Sequence, residues 1–268
     1  MTARYDPDRV SDELIALTRA LGAPDRDQVI LAEGNTSQLL DGDRIAVKAS
    51  GTGMATVSAE DFVVVDLEPL TALLSDDSAT QADLTAALDA GEIGGRRRRG
   101  SIETLVHVAV QAVAPSPFVG HTHPTAVVGL LASVVGPGAW DRHVYSDEAV
   151  VIGRPLYVPY AQPGIELGRV FHRALARRHA ETGELPALVL LGNHGIVAIA
   201  PTADGIQAVC EMAVKGARVR QIAYSAGGVA PLSAEAVDKF FARDDIAERR
   251  GSLAHGGYRG DPGHGGAE

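Results

Sequence analysis

The sequence predicts an α/β chain built on a mixed sheet with helices packed against it. Three observations lead there. Apolar runs of strand length alternate with segments of helical periodicity. An Asp41-Gly42 hairpin signal makes at least one strand pair antiparallel. An apolar content of 46% over 268 residues supports a sizeable core. No composition break marks a second domain and no internal repeat is visible. Residues 1–254 are therefore read as one domain, followed by a Gly-rich tail over residues 255–268 that is expected to be disordered.

Taken in order, Ser11 is placed to cap a helix running to Leu21, with Gly22 as its stop. Leu14, Ile15, Thr18 and Leu21 give that helix one mostly apolar face. Gln28-Val29-Ile30-Leu31 reads as a short strand leading to Glu33-Gly34-Asn35-Thr36-Ser37. Gln38-Leu39-Leu40 and Arg44-Ile45-Ala46-Val47-Lys48 flank the hairpin turn, and Ser50-Gly51-Thr52-Gly53 breaks the second strand. Ser58 with Asp61 forms a capping pattern ahead of Phe62-Val63-Val64-Val65-Asp66, a buried strand. Residues 69–90 read as helical and surface-facing, and Gly94 to Gly100 as a loop whose four arginines form a solvated patch or offer one cation to an anionic substrate.

Ser101 is placed to cap a helix carrying Leu105, Val106, Ala109 and Val113. Glu103 then falls in its first turn, and His107, four residues on, shares its face. Pro117 to Gly120 reads as a strand, and Pro124 opens a helix to Ser133. Tyr157 to Tyr160 is extended, Gly164 to Arg178 helical, and Ala187 to Leu191 a strand. Thr202 caps a long helix ending near Tyr224.

Bulk properties bound the function. A formal charge of -10 and a pI near 5.3 argue against general nucleic-acid binding, which needs a basic face, but allow an anionic small substrate in a local pocket. The single cysteine, Cys210, excludes an intramolecular disulfide and any cysteine-based zinc knuckle. No apolar run approaches the roughly 20 residues of a membrane helix, and the N-terminus lacks a signal-peptide stretch. A soluble, cytoplasmic protein with no membrane partner is expected.

The chemistry concentrates in two short motifs. His121-Thr122-His123-Pro124 closes an apolar strand, and alternate side chains on a strand face the same way, so His121 and His123 can point at one spot. His194 sits in the turn Gly192-Asn193-His194-Gly195 after a second strand. A lone histidine is more often a satisfied polar residue than a ligand. Three imidazoles with a carboxylate or water, however, make a donor set of the zinc type, and Glu103 is the nearest upstream carboxylate in a suggestive position. His255 and His264 in the tail are read as incidental.

Gly34-Asn35-Thr36-Ser37, Lys48-Ala49-Ser50-Gly51, Ser101-Ile102-Glu103 with His107, His121-Thr122-His123-Pro124 and Asn193-His194-Gly195 occur in one order. In this the chain resembles the class II aldolase/adducin family over roughly residues 10–225. The resemblance implies a single three-layer α/β/α domain around a mostly antiparallel sheet. It also implies a homotetramer with active sites at subunit contacts. The cofactor it implies is a divalent metal, typically zinc, with manganese or cobalt as alternatives, held by His121, His123 and His194 with Glu103 as the acid. Gly34, Asn35, Ser37, Ser50, Gly51 and Ser101 match the family's substrate-phosphate binders, while Ile102 replaces a second serine. Tyr145 falls where the family's aldolases bring a tyrosine from a neighbouring subunit, with Tyr224 as a second possibility. The wording of the motifs is similar to the aldolase portion of rhamnulose-phosphate aldolase/dehydrogenase fusions, yet this sequence carries no Rossmann glycine fingerprint.

The activity so implied is a lyase cleaving a small ketose phosphate or related hydroxy-ketone through a metal-stabilised enediolate, with Glu103 as the proton-transfer group. The same parts can run an epimerisation or a 3-oxo-acid decarboxylation. An adducin-like interaction module that has lost catalysis is the third reading, disfavoured by the intact ligand motifs.

Overall fold

The computed structural model describes residues 2–246 together with 248 and 251. The tail expectation, including His255 and His264, lies outside the described residues. In chain order the elements are β1 (Ala3–Arg4), α1 (Asp12–Leu21), β2 (Asn35–Leu39), β3 (Arg44–Lys48), β4 (Phe62–Asp66), α2 (Leu67–Ser75), α3 (Gln81–Ala87), β5 (Asp89–Ile93) and β6 (Arg96–Arg99). Then follow α4 (Thr104–Val113), β7 (Phe118–Thr122), α5 (Thr125–Leu131), α6 (Ser146–Ile152), β8 (Leu156–Val158), α7 (Ile165–Thr182), β9 (Leu188–Leu191), β10 (Gly195–Ala200), α8 (Ala203–Ser225) and α9 (Ala234–Phe241).

Eight strands form one sheet in the order β1-β4-β3-β2-β7-β10-β9-β8. Every pairing in it is antiparallel except β8 with β9. Strand alternation splits the core into two layers. Val189 and Leu191 pack with Leu105, Val108, Leu167 and Phe171 from α4 and α7. Leu188 and Leu190 pack on the other face with Leu21, Val127, Ile206 and Cys210 from α1, α5 and α8. The result is the expected three-layer α/β/α arrangement.

Capping signals set the helix starts. Ser11 accepts from the Leu14 N–H at the head of α1, and Thr202 accepts from Gly205 at the head of α8. Ser58 and Asp61 form the expected capping box, on a single 3-10 turn before β4.

Several expectations are corrected. Gln28 to Leu31 is not a strand; Leu31 adopts a left-handed φ of 51°, which ladder pairing does not allow. Strand β2 instead begins at Asn35 and takes in Thr36 and Ser37. Residues 69–90 break into α2, α3 and the start of β5, and Leu70, Leu74 and Leu84 are buried rather than surface-facing. The arginine stretch is a strand: β6 pairs with β5 across a Gly94-Gly95 turn. In it Arg97 pairs with Asp89, and Arg98 is buried against Asp61 at 3.3 Å. Ser101 does not cap α4. The helix starts at Thr104 with Glu103 in the preceding cap position, and the Ser101 hydroxyl accepts from the Glu103 N–H at 3.3 Å.

Candidate metal centre

Register brings the motifs together. β7 lies between β2 and β10, with His121 opposite Asn35 on one side and Val197 on the other. His121 lies on the face covered by α4, since Val119, two residues before it, packs in that layer. The β9–β10 turn then places His194 beside the end of β7. Asn193 takes the left-handed conformation there, with φ 53°. Gly195 follows because a Cβ would meet the Thr122 carbonyl at 2.4 Å and the His123 ring at 2.7 Å. A similar constraint acts at Gly34, with φ 69°, where a Cβ would sit 2.8 Å from the His121 carbonyl.

Glu103, His121, His123 and His194 converge. One donor atom from each lies within 4.8 Å of all the others. The Glu103 Oε1 is 2.9 Å from His194 Nε2, and its Oε2 is 3.3 Å from His121 Nε2. The Nε2 atoms of His121 and His123 are 2.9 Å apart. His121 Nδ1 lies 2.8 Å from the Ile196 carbonyl, an acceptor, so it carries the proton and leaves Nε2 with its lone pair. Burial disfavours the charged imidazole of His121, but the Glu103 carboxylate beside it outweighs this and raises its pKa. Burial likewise opposes ionisation of Glu103, yet the charges and hydrogen bonds of His121 and His194 hold its carboxyl well below the usual range. Burial, then the His121 charge, pushes His123 down to about 3. The set is three imidazole nitrogens and one carboxylate around a single point, and His194 Nδ1 is a buried polar atom with no partner. It fits a divalent ion of the zinc class.

The surroundings order this cluster. His123 Nδ1 stands 3.6 Å from Glu33 Oε2, a carboxylate that the sequence reading passed over within its own motif. Contact with a histidine's outer nitrogen across 90 residues has no local sequence signal. A cavity of about 400 Å³, lined by Ile30, Glu33, Val128, His123 and His194 among others, opens onto the cluster.

The phosphate candidates separate. The isolated bridge between Ala49 and Gly100 sets the exposed Ser50-Gly51 turn beside Ser101. The Ser50 N–H is spent on the Arg99 carbonyl at 2.8 Å. Asn35 lies between Ser101 and Glu103, with Nδ2 at 3.3 Å from Ser101 Oγ and 3.0 Å from Glu103 Oε2. Ser37 is fully enclosed, and its hydroxyl meets His107 Nδ1 at 2.7 Å. It therefore faces the buried side of the sheet under α4, not a solvent-reached substrate. Lys48, in the same motif, is buried with its ammonium on the carbonyls of Ala49 and Thr52 at 3.2 and 2.5 Å, and burial lowers its pKa to about 8.

Tyr145 is not brought to this cluster. It precedes α6, its hydroxyl donates to Met212 Sδ at 2.7 Å, and burial raises its pKa to about 12. Tyr224 is partly exposed near the end of α8.

Comparison with known proteins agrees with this fold. The family described as Class II Aldolase and Adducin N-terminal domain matches residues 12–220. The uncharacterized oxidoreductase YuxG of Bacillus subtilis (strain 168) is 30% identical over 159 residues, 59% of this chain. The chain spans 21% of that protein's length. Among solved structures, YgbL from Klebsiella pneumoniae is similar with a TM-score of 0.63 at 21% identity, over 90% of this chain and 99% of that one. L-fuculose-1-phosphate aldolase from Thermus thermophilus is similar with a TM-score of 0.56 at 17% identity, over 82% of this chain and all of that one (100%). At these identities the likeness shows the fold.

Proposed function

The chain belongs to the class II aldolase and adducin family, and we propose that it is a metal-dependent carbon–carbon lyase acting on a small ketose phosphate or related hydroxy-ketone. The observation that carries this reading is the convergence of Glu103, His121, His123 and His194 within 4.8 Å. A divalent ion held there, zinc in this reading, would supply Lewis-acid stabilisation of negative charge developing on substrate oxygens.

The chain's own residues supply the rest. Glu103, ionised and largely shielded from water, takes the hydroxyl proton at a carboxylate oxygen and returns it to carbon. The Ser50-Gly51 turn, Ser101, Gly34 and Asn35 line the side on which an anionic group would bind. Ile102 removes one hydroxyl from that set. Tyr145, remote from the cluster of its own chain, serves a neighbouring subunit in a homotetramer with shared sites. Residues 1–254 act as one catalytic domain of a cytoplasmic enzyme. Among the described residues no helix is long and apolar enough to cross a membrane.

Metal analysis of the purified protein followed by a product screen tests the reading. Ketose phosphates and 3-oxo acids are incubated with metal-replete protein. Release of an aldehyde from a ketose phosphate supports the lyase. An epimer or carbon dioxide as the only product would replace it with the corresponding activity on the same scaffold.

A further inference from the structure

Beneath the Glu103 carboxylate lies a buried chain of polar groups. Asn35 Nδ2 is 3.0 Å from Glu103 Oε2. Asn35 Oδ1 is in close contact with His107 Nε2, and His107 Nδ1 is 2.7 Å from Ser37 Oγ. Asn35, Ser37 and His107 are all essentially inaccessible, at 1%, 0% and 0% exposure. Asn35 and Ser37 alternate on β2, so both side chains face α4, which carries His107 one turn after Glu103.

We infer that Ser37, His107 and Asn35 form a positioning relay that holds the Glu103 carboxylate turned toward the three histidines. This rests on reading those histidines and Glu103 as a metal site, and it goes beyond that reading by naming what orients the acid. The direction of every hydrogen bond follows from donor chemistry. An ionised carboxylate only accepts, so the Asn35 amide must turn its NH2 toward Glu103. Its oxygen then faces His107 and demands a donor there. His107 is consequently the neutral tautomer with the proton on Nε2, and Nδ1 accepts the Ser37 hydroxyl proton. No member can rotate without leaving a buried polar group unpaired, which costs about 1–3 kcal/mol per group. Two side chains, Ser37 on β2 and His107 on α4, thus fix the Asn35 amide, and the amide fixes Oε2. Oε1 is left to His194.

The test titrates metal-free protein with Co2+, following the absorption of the bound ion, and records the thermal midpoint of each metal-free variant. His107→Leu removes the donor to Asn35. Co2+ affinity is expected to fall on the order of 10–100-fold, as for other outer-shell partners of metal ligands. His107→Gln keeps an N–H2 near the Nε2 position and is expected to bind Co2+ close to wild type. A purely packing role for His107 would move the thermal midpoint without this split between the two variants. Should His107→Leu fail to fold, Asn35→Ala cuts the same chain at its Glu103 end and is expected to show the same loss. Co2+ affinity unchanged in His107→Leu or Asn35→Ala, or lowered equally in His107→Leu and His107→Gln, would overturn the relay alone. Wild-type protein that takes up no Co2+ would overturn the metal reading and the relay with it.

Discussion

The Nε2 atoms of His121, on β7, and His123, just past its end, face each other at 2.9 Å. The neutral His121 ring, with its proton on Nδ1 toward the Ile196 carbonyl, presents a lone pair at Nε2 on this side. A divalent cation shared by the two rings would take a lone pair from each. One divalent ion per subunit is therefore expected, largely lost in His121→Ala and absent in His121→Ala/His194→Ala. Elemental analysis after dialysis checks this, and full occupancy in the double variant would rule out the assignment. Because only the folded chain assembles the four donors, chelation should also lower the thermal midpoint.

Glu103 is expected to carry proton transfer. Glu103→Gln keeps the shape and the hydrogen bond to Asn35 while removing the base. Turnover should drop on the order of 10²–10⁴, with substrate binding affected much less. Near-normal kcat with a lowered thermal midpoint would assign the carboxylate a capping role instead.

Tyr145 is expected to act in trans. Its hydroxyl rests on Met212 of its own chain rather than on its own metal cluster. Tyr145→Phe and Glu103→Gln homo-oligomers should each be nearly inactive, and mixing them after dissociation should restore part of the activity. No recovery on mixing, with full exchange of subunits shown by mass, would place the tyrosine outside the reaction.

Lys48 links stability to alkaline pH. Burial lowers its pKa to about 8 in the folded chain against the ordinary 10.5. From pH 8 to 10.5 the unfolded chain binds more protons at this group, so its contribution to stability rises with pH through that window. Wild type should therefore gain on Lys48→Met as pH increases, by at most about 1.4 kcal/mol per pH unit. Denaturant midpoints of both proteins across this range check the sign. A difference that stays flat would show that Lys48 keeps an ordinary pKa.

A wholly buried ion pair ties the second helical layer together. Arg220 on α8 meets Glu148 on α6 at 2.6 and 2.7 Å, both side chains being fully enclosed. Arg220→Met should destabilise the fold by about 3–5 kcal/mol, because it strands a buried carboxylate. Arg220→Met/Glu148→Leu should recover most of that loss, since the penalty belongs to the unpaired charge. Urea melts of the three proteins decide it.

Local sequence signals were sufficient wherever one interaction dominates. The Ser11 and Thr202 caps, the Asp41-Gly42 hairpin and the facing of His121 with His123 all depend on residues close together in the chain, and each appears as read. The candidate donor set was legible because its residue types are rare together, and the family resemblance carried their grouping. Tertiary structure decided what depends on partners far along the chain. The arginine stretch became a strand because β5 pairs with it and Asp61 meets Arg98. Asn35 and Ser37 turned inward because β2 pairs with β7 in a register that sets Asn35 opposite His121, under a helix carrying Glu103 and His107. Shifting that register by one residue would turn both side chains to the opposite face. Residue types alone specify which donors exist, whereas long-range pairing specifies which way each one points.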